Sequence, residues 1–187
     1  MYWQVYLHKT VLCAEKMLIN IIRRAREINA GGASEALSIF LSADFSEEKI
    51  QEHLDDFCRM DDYDVLSAIK RWTSHSDKIL SYLCKGIINR KLLKVKYSGS
   101  PFDPETLRAK KEIVKKYFNT NDTEASYLVF TGEATNETYN KNDERIKILY
   151  KDGSVSDISE VDNALINQTL FGTIKKFYIC FPKEELS

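Results

Sequence analysis

Three clusters in this 187-residue chain hold residue types that could do chemistry. In Tyr6-Leu7-His8-Lys9 an aromatic plate, an imidazole and an ammonium fall within one turn of a helix. Such a set offers a base a stacking surface and a phosphate two cationic or hydrogen-bonding arms. The plainer arrangement buries Tyr6 in a core and leaves His8 and Lys9 in water. The second cluster is Arg90, Lys91, Lys94 and Lys96, where a helix hands over to a strand. Cations gathered there suit a polyphosphate, with Arg acting as a fork and Lys as a point charge. The third is acidic: Asp55-Asp56 and Asp61-Asp62-Tyr63-Asp64. Carboxylates so placed could hold Mg²⁺ or share a proton, but no Gly-centred loop with alternating oxygen ligands surrounds them. Asp61 and Asp62 have a simpler task as cap and first-turn acid of the helix that follows.

Other chemistries are excluded by what is missing. His8, His53 and His75 are not followed by Asp or Glu and do not pair within a helical turn, so no metal-hydrolase core can be built from them. There is no G-x-S-x-G elbow, Walker A loop or G-x-G-x-x-G fingerprint. Cys13, Cys58, Cys84 and Cys180 stand 45, 26 and 96 residues apart and are expected as free thiols rather than a zinc or disulfide framework. The net charge of -1 carries no global basic field for coating nucleic acid, so any anion site must be local. The charge is nevertheless segregated. Residues 44–64 hold nine acids against Lys49 and Arg59, whereas residues 70–96 hold eight bases against Asp77. Either the two stretches pair with each other, or the basic one binds phosphate. No apolar run approaches the ~18 residues of a membrane span and the N-terminus lacks a secretory signal pattern, so the expectation is a cytoplasmic protein without a membrane partner.

The elements that must position these residues are mostly helical at first. Apolar residues recur at spacings of three and four from Trp3 to Ile28, which predicts one long helix closed by Gly31-Gly32. Its start offers no capping oxygen at Met1, Tyr2 or Trp3, and the expectation is a helix continued by preceding residues of a longer protein. Helices follow over residues 33–41, 46–57, 61–72 and 76–89, then a strand over 92–97. Past a boundary near residue 98 come a helix from Asp103 to Phe118 with Pro104 at its first position, a strand over 127–131 and a hairpin around Asp152-Gly153. A helix over 161–170 and a strand over 175–181 complete the chain. The fold class is therefore α+β: a helical part over residues 1–97, then a smaller mixed lobe over 98–187 with an antiparallel sheet, in an order that permits a ferredoxin-like arrangement.

Three segments carry a resemblance: Gln4-Val5-Tyr6-Leu7-His8-Lys9, Met60-Asp61-Asp62-Tyr63-Asp64-Val65 and Ile88-Asn89-Arg90-Lys91-Leu92-Leu93-Lys94-Val95. In order and spacing they resemble the C-terminal part of HD-domain phosphohydrolases of the deoxynucleoside triphosphate triphosphohydrolase type. The likeness covers about residues 1–97 and fades beyond. It departs at Gln4 and Leu7, where the best-known member has an Arg and a polar residue. It implies a fragment, because the family's metal-binding His, His-Asp and Asp lie upstream of the stretch that Tyr6 to Lys9 resembles and have no counterpart here.

The resemblance further implies that Tyr6 faces a substrate pocket, that His8 and Lys9 contact nucleotide between subunits, and that Arg90 and Lys94 hold the phosphates of an activator. It implies a divalent metal such as Mg²⁺ or Mn²⁺ in the full-length parent, none held by this chain, and no catalytic residue here. The partners implied are an upstream HD domain, a nucleoside triphosphate and further copies of the chain. The other expectation is a non-catalytic interaction module.

Overall fold

The computed structural model describes residues 8–42, 44–136, 146–157 and 174–183. Helix α1, Lys9–Glu27, buries Leu12, Cys13, Met17, Ile21 and Ala25 along one stripe. It starts six residues later than the periodicity predicts. His8 is extended at φ -63° and ψ 142°, and its Nδ1 accepts from the Thr10 amide at 3.3 Å. A histidine thus caps the helix, and His8 and Lys9 are divided by the helix boundary rather than stacked in one turn. Tyr6 lies outside the described residues. The other end also differs: α1 closes on Asn29, at φ 50°, not on Gly31-Gly32. The Gly31 carbonyl instead accepts from Trp72 Nε1 at 2.8 Å.

Helix α2, Glu35–Leu41, is capped by Ser34. The single helix expected over residues 46–57 is broken into 3-10 turns at Glu47–Lys49 and Gln51–His53 and a short α3, Leu54–Arg59. None of α3 is buried, so no packed face offsets the mutual repulsion of this acidic stretch. In α4, Asp62–Trp72, Asp61 and Asp64 form a reciprocal capping box: the Asp61 amide donates to Asp64 Oδ2 at 2.9 Å and the Asp64 amide to Asp61 Oδ1 at 3.3 Å. The acidic run therefore does the capping expected of it.

Helix α5, Lys78–Ile88, packs between α1 and α4, burying Ile79, Leu80, Leu83, Cys84 and Gly86. Burial pushes the Cys84 thiol up to about 12. Strand β1, Lys94–Ser98, leads to α6, Pro104–Phe118, capped by Asp103, and then to α7, Asp122–Ala125, a short helix with its own Asn121–Glu124 capping box. Because α7 and the turn after it use residues 122–129, β2 runs over Phe130–Asn136, later than expected. Strands β3, Lys147–Leu149, and β4, Val155–Asp157, flank the Asp152-Gly153 turn, with Gly153 at φ 83°.

The final strand β5, Ile174–Phe181, lies at the centre of an antiparallel sheet ordered β1-β5-β2. Among the described residues β3 and β4 form a separate ladder, so the strands do not join into one ferredoxin-like sheet. The α+β class, with helices mostly first and strands mostly last, holds. The part before residue 98 and the part after it share one core cluster, running from Met17 and Leu83 to Val114, Leu128 and Ile179. No helix among the described residues is long and apolar enough to cross a membrane.

Where β2 meets β5, Gly132 lies opposite Tyr178, and a Cβ at this position would overlap the phenol ring. Tyr178 is buried. Gly132→Val is expected to destabilise the chain by about 1–3 kcal/mol through overpacking, seen as a lower urea midpoint at unchanged slope.

Candidate functional site

Two of the candidate residues, far apart in sequence, meet at one cleft of about 230 Å³. Lys9 and Thr10 come from the first turn of α1, Arg90 from the turn after α5, and Leu93 and Val95 from the entry to β1. Lys183 completes the set from beyond β5. The sheet register explains its arrival: Lys94 pairs with Phe181 in antiparallel, and two further steps along that ladder set Lys183 beside Leu92. The lining holds three cations and no carboxylate, and the positive end of the 19-residue α1 dipole abuts it. Ligand pockets commonly run to about 300–1,000 Å³, so this smaller cleft fits phosphate groups rather than a whole nucleotide.

Arg90 stands in an unusual conformation. Its φ is 57°, in the left-handed region. It closes α5 in a Schellman motif, with the Arg90 amide donating to the Ile87 carbonyl at 3.2 Å and the Lys91 amide to Gly86 at 2.8 Å. Gly is the ordinary residue there. The same backbone state closes α1 and α6, but with Asn29 and Asn119, and Asn tolerates it where Arg does not. A bulky cation held where Gly is cheaper calls for a reason beyond the fold.

The remaining candidates sit elsewhere. His8 spends its Nδ1 lone pair on the Thr10 amide and is absent from the cleft lining. Lys94 is exposed on β1 next to Val95, which faces the cleft, so strand alternation turns Lys94 to the opposite face. On that side Lys96 Nζ lies 5.9 Å and Lys110 Nζ 3.7 Å from the Phe181 ring centroid. The structure thus joins Lys9 with Arg90 but not with Lys94. Lys183 was not legible as a site residue, because only the β1–β5 register brings it there.

Behind the cleft, Cys13 Sγ donates to the Leu93 carbonyl at 3.2 Å. A hydrogen bond from Cys180 and the charge of Lys183 lower the Cys13 thiol against the upward pull of burial, while Cys180 is raised by that bond and by its own burial.

The resemblance assigns its divalent metal to the full-length parent, and the described residues offer no donor set for such an ion. No group of three or more His, Cys, Asp or Glu among them could hold one. The imidazoles are taken locally: His53 Nδ1 lies 3.1 Å from Asp56 Oδ2, and His75 Nδ1 accepts from the Asp77 amide at 3.0 Å. A carboxylate cluster, Glu27, Asp77 and Glu124, closes around the buried guanidinium of Arg24 and ties α1 to the start of α5 and to α7.

This architecture is one that a phosphohydrolase uses. A crystal structure of a phosphohydrolase from Bacteroides thetaiotaomicron superposes with a TM-score of 0.86 at 35% identity, over 98% of this chain and 47% of that one. Among curated proteins, the uncharacterized protein YwfO of Bacillus subtilis is 28% identical over 197 residues, 98% of this chain and 42% of its own length. The chain therefore spans less than half the length of each of these relatives. No family model matches it.

Proposed function

We propose that this chain is the C-terminal part of an HD-superfamily (deoxy)nucleoside triphosphate phosphohydrolase, and that it supplies phosphate-binding cations rather than the metal or the nucleophile. The observation that carries the reading is the convergence of Lys9, Arg90 and Lys183 on one carboxylate-free cleft. The likeness to a phosphohydrolase supports it. In this reading Lys9, with His8 beside it at the subunit boundary, and Arg90 grip a triphosphate. Lys94, on the other face of β1, serves assembly between copies. Tyr6 reaches a substrate pocket completed by the upstream HD domain, which holds the Mg²⁺ or Mn²⁺.

The 187-residue chain should then bind dGTP without hydrolysing it in Mg²⁺ or Mn²⁺. Lys9→Glu should weaken that binding about 10- to 100-fold, the worth of one or two charge-assisted contacts. Calorimetry and a phosphate-release assay measure both. Turnover by the pure chain, or binding indifferent to Lys9, would refute the proposal.

A second reading, an interaction module, is favoured by the apolar side chains left in water around α3 and α4: Leu54 is 47%, Phe57 56% and Leu66 42% exposed. Light scattering separates the two. Assembly that responds to nucleotide and is lost in Arg90→Glu and Lys94→Glu supports the first, and assembly indifferent to nucleotide supports the second.

A further inference from the structure

Beyond the Arg90–Lys91 turn from the cleft, two cavities of about 470 and 490 Å³ share Tyr82, Lys85 and Tyr117 and so form one groove between α5 and the end of α6. Lys91 and Lys183 stand at one end and Lys78 at the other. No carboxylate lines either cavity. Four lysines elsewhere, Lys16, Lys111, Lys115 and Lys175, meet acids. Lys85 and Lys91 make no ion pair with a described residue, so their field stays unneutralised and is focused into the groove. Their placement is built into the fold. A Cβ on Gly86 would come within 2.7 Å of Met17 Cε and 3.1 Å of the Lys91 carbonyl oxygen. Glycine lets the turn fold back on α5 without crowding Met17 or the Lys91 carbonyl, and so sets Lys91 over the groove.

The groove also offers rings. Tyr117 is 55% exposed and lies edge-on to Phe118 at 4.9 Å, and Tyr82 packs on the same ring at 5.1 Å. Phe118 thus braces two phenols beside the lysines. Each cavity is of a size that takes a small ligand. Helix α5 has 11 residues, so the groove runs about 16 Å, room for only two or three nucleotides of a strand. The net charge of -1 and the nine acids of residues 44–64 work against a long polyanion.

We propose that the α5–α6 groove is a second anion site, adjoining the Lys9–Arg90 cleft at Leu92 and Lys183, that takes one ring-bearing polyphosphate of the nucleoside di- or triphosphate class. Lys85 and Lys91 hold its phosphates and Tyr117 stacks on its ring. The proposal stands apart from the assignment of the cleft, and a background carrying both Lys9→Glu and Arg90→Ala keeps the two apart: the cleft loses two of its three cations there, while Lys85, Lys91 and Tyr117 remain in the groove.

In that background, ATP titrated calorimetrically into the full chain at about 0.1 M salt should still bind. Adding Lys85→Ala with Lys91→Ala should weaken binding tenfold or more, and Tyr117→Ala roughly tenfold. Inorganic triphosphate should bind more weakly than ATP and should not respond to Tyr117→Ala. All three side chains are exposed or at the rim, and an unchanged circular dichroism spectrum checks that the variants fold. No ATP binding in that background, binding indifferent to Lys85 and Lys91, or binding of oligo-dT in place of ATP would overturn the proposal.

Discussion

Replacing Arg24 with methionine should cost about 3 kcal/mol of folding stability, the lower end of the range for breaking a buried ion pair, because its carboxylate partners are partly open to water. The Arg24 side chain is 7% exposed. Its Nη2 lies 2.7 Å from Asp77 Oδ2 and 2.9 Å from Glu124 Oε1, its Nη1 3.1 Å from Glu27 Oε2, and its Nε donates to Asp77 Oδ1 at 3.3 Å. Tyr127 adds its ring, 5.7 Å from the guanidinium carbon, and its hydroxyl donates to Glu27 at 2.7 Å. One cation thus holds three carboxylates, Glu27 on α1, Asp77 at the cap of α5 and Glu124 on α7. Methionine fills the volume and leaves the three facing one another. Arg24→Lys should fall in between, because a point charge cannot serve both oxygens of Asp77 and reach Glu124 as a fork does.

The pH dependence tells this mechanism from simple packing loss. Burial works to raise Asp77, but the Arg24 contacts and the Leu80 amide hold it below its ordinary 3.8. Glu27 is held below its ordinary 4.5 by the Tyr127 hydroxyl and then by Arg24, against the upward pull of burial. A depressed carboxylate contributes stability that is present above its unfolded pKa and is lost as pH falls through the folded one. The wild-type chain should therefore weaken below about pH 4. In Arg24→Met the clustered carboxylates repel, their folded pKa values rise, and protonation relieves them. The gap between wild type and variant, read from urea midpoints, should be widest at pH 7 and narrow by pH 4. A gap that stays constant with pH would show that lost packing, not charge, carries the effect.

Local chemistry made much of the fold legible. Asp61 with Asp62, Pro104 after Asp103 and the Asp152-Gly153 turn each specify their element within four residues, and each is found in place. Where packing decides, the sequence misled. Residues 46–57 have helical spacing but no buried face, and the helix breaks. The start of α1 was obscured because histidine is not among the usual capping residues, although His8 Nδ1 accepts the amide bond that a Ser or Asp oxygen would.

The cleft was half legible for the same reason. Lys9 could be singled out for its aromatic and histidine neighbours, and Arg90 as a cation where a helix hands over to a strand. Nothing local says that α1 and α5 pack so as to join them, or that β5 delivers Lys183 while strand alternation turns Lys94 away. Arg24 follows Arg23 in a basic helical stretch and looks no different from it. Only its partners on α5 and α7 reveal a buried ion.

Arg90→Gly should move stability and binding in opposite directions. Every hydrogen bond of the Schellman turn comes from the backbone, so glycine keeps them all. It also removes the cost of an L side chain at φ 57°, about 1 kcal/mol, partly offset by the greater freedom of glycine in the unfolded chain. The urea midpoint should rise by an amount equivalent to a few tenths to 1 kcal/mol. Triphosphate affinity at the cleft should fall about 10- to 100-fold with the loss of a charge-assisted fork.

Two neighbouring substitutions sharpen the reading. Arg90→Asn adopts the left-handed state readily, as Asn29 and Asn119 do here, so it should gain stability like glycine and lose binding equally. Arg90→Lys keeps the charge and the strain, so stability should stay unchanged and affinity should fall only in part. If Arg90→Gly lowers stability instead, the guanidinium makes a structural contact that accounts for its conformation. If it raises stability and leaves binding untouched, the strain at this turn serves something other than phosphate. Only the combined result, a firmer fold with a weaker grip, is what a residue kept for its charge at the expense of its backbone should give.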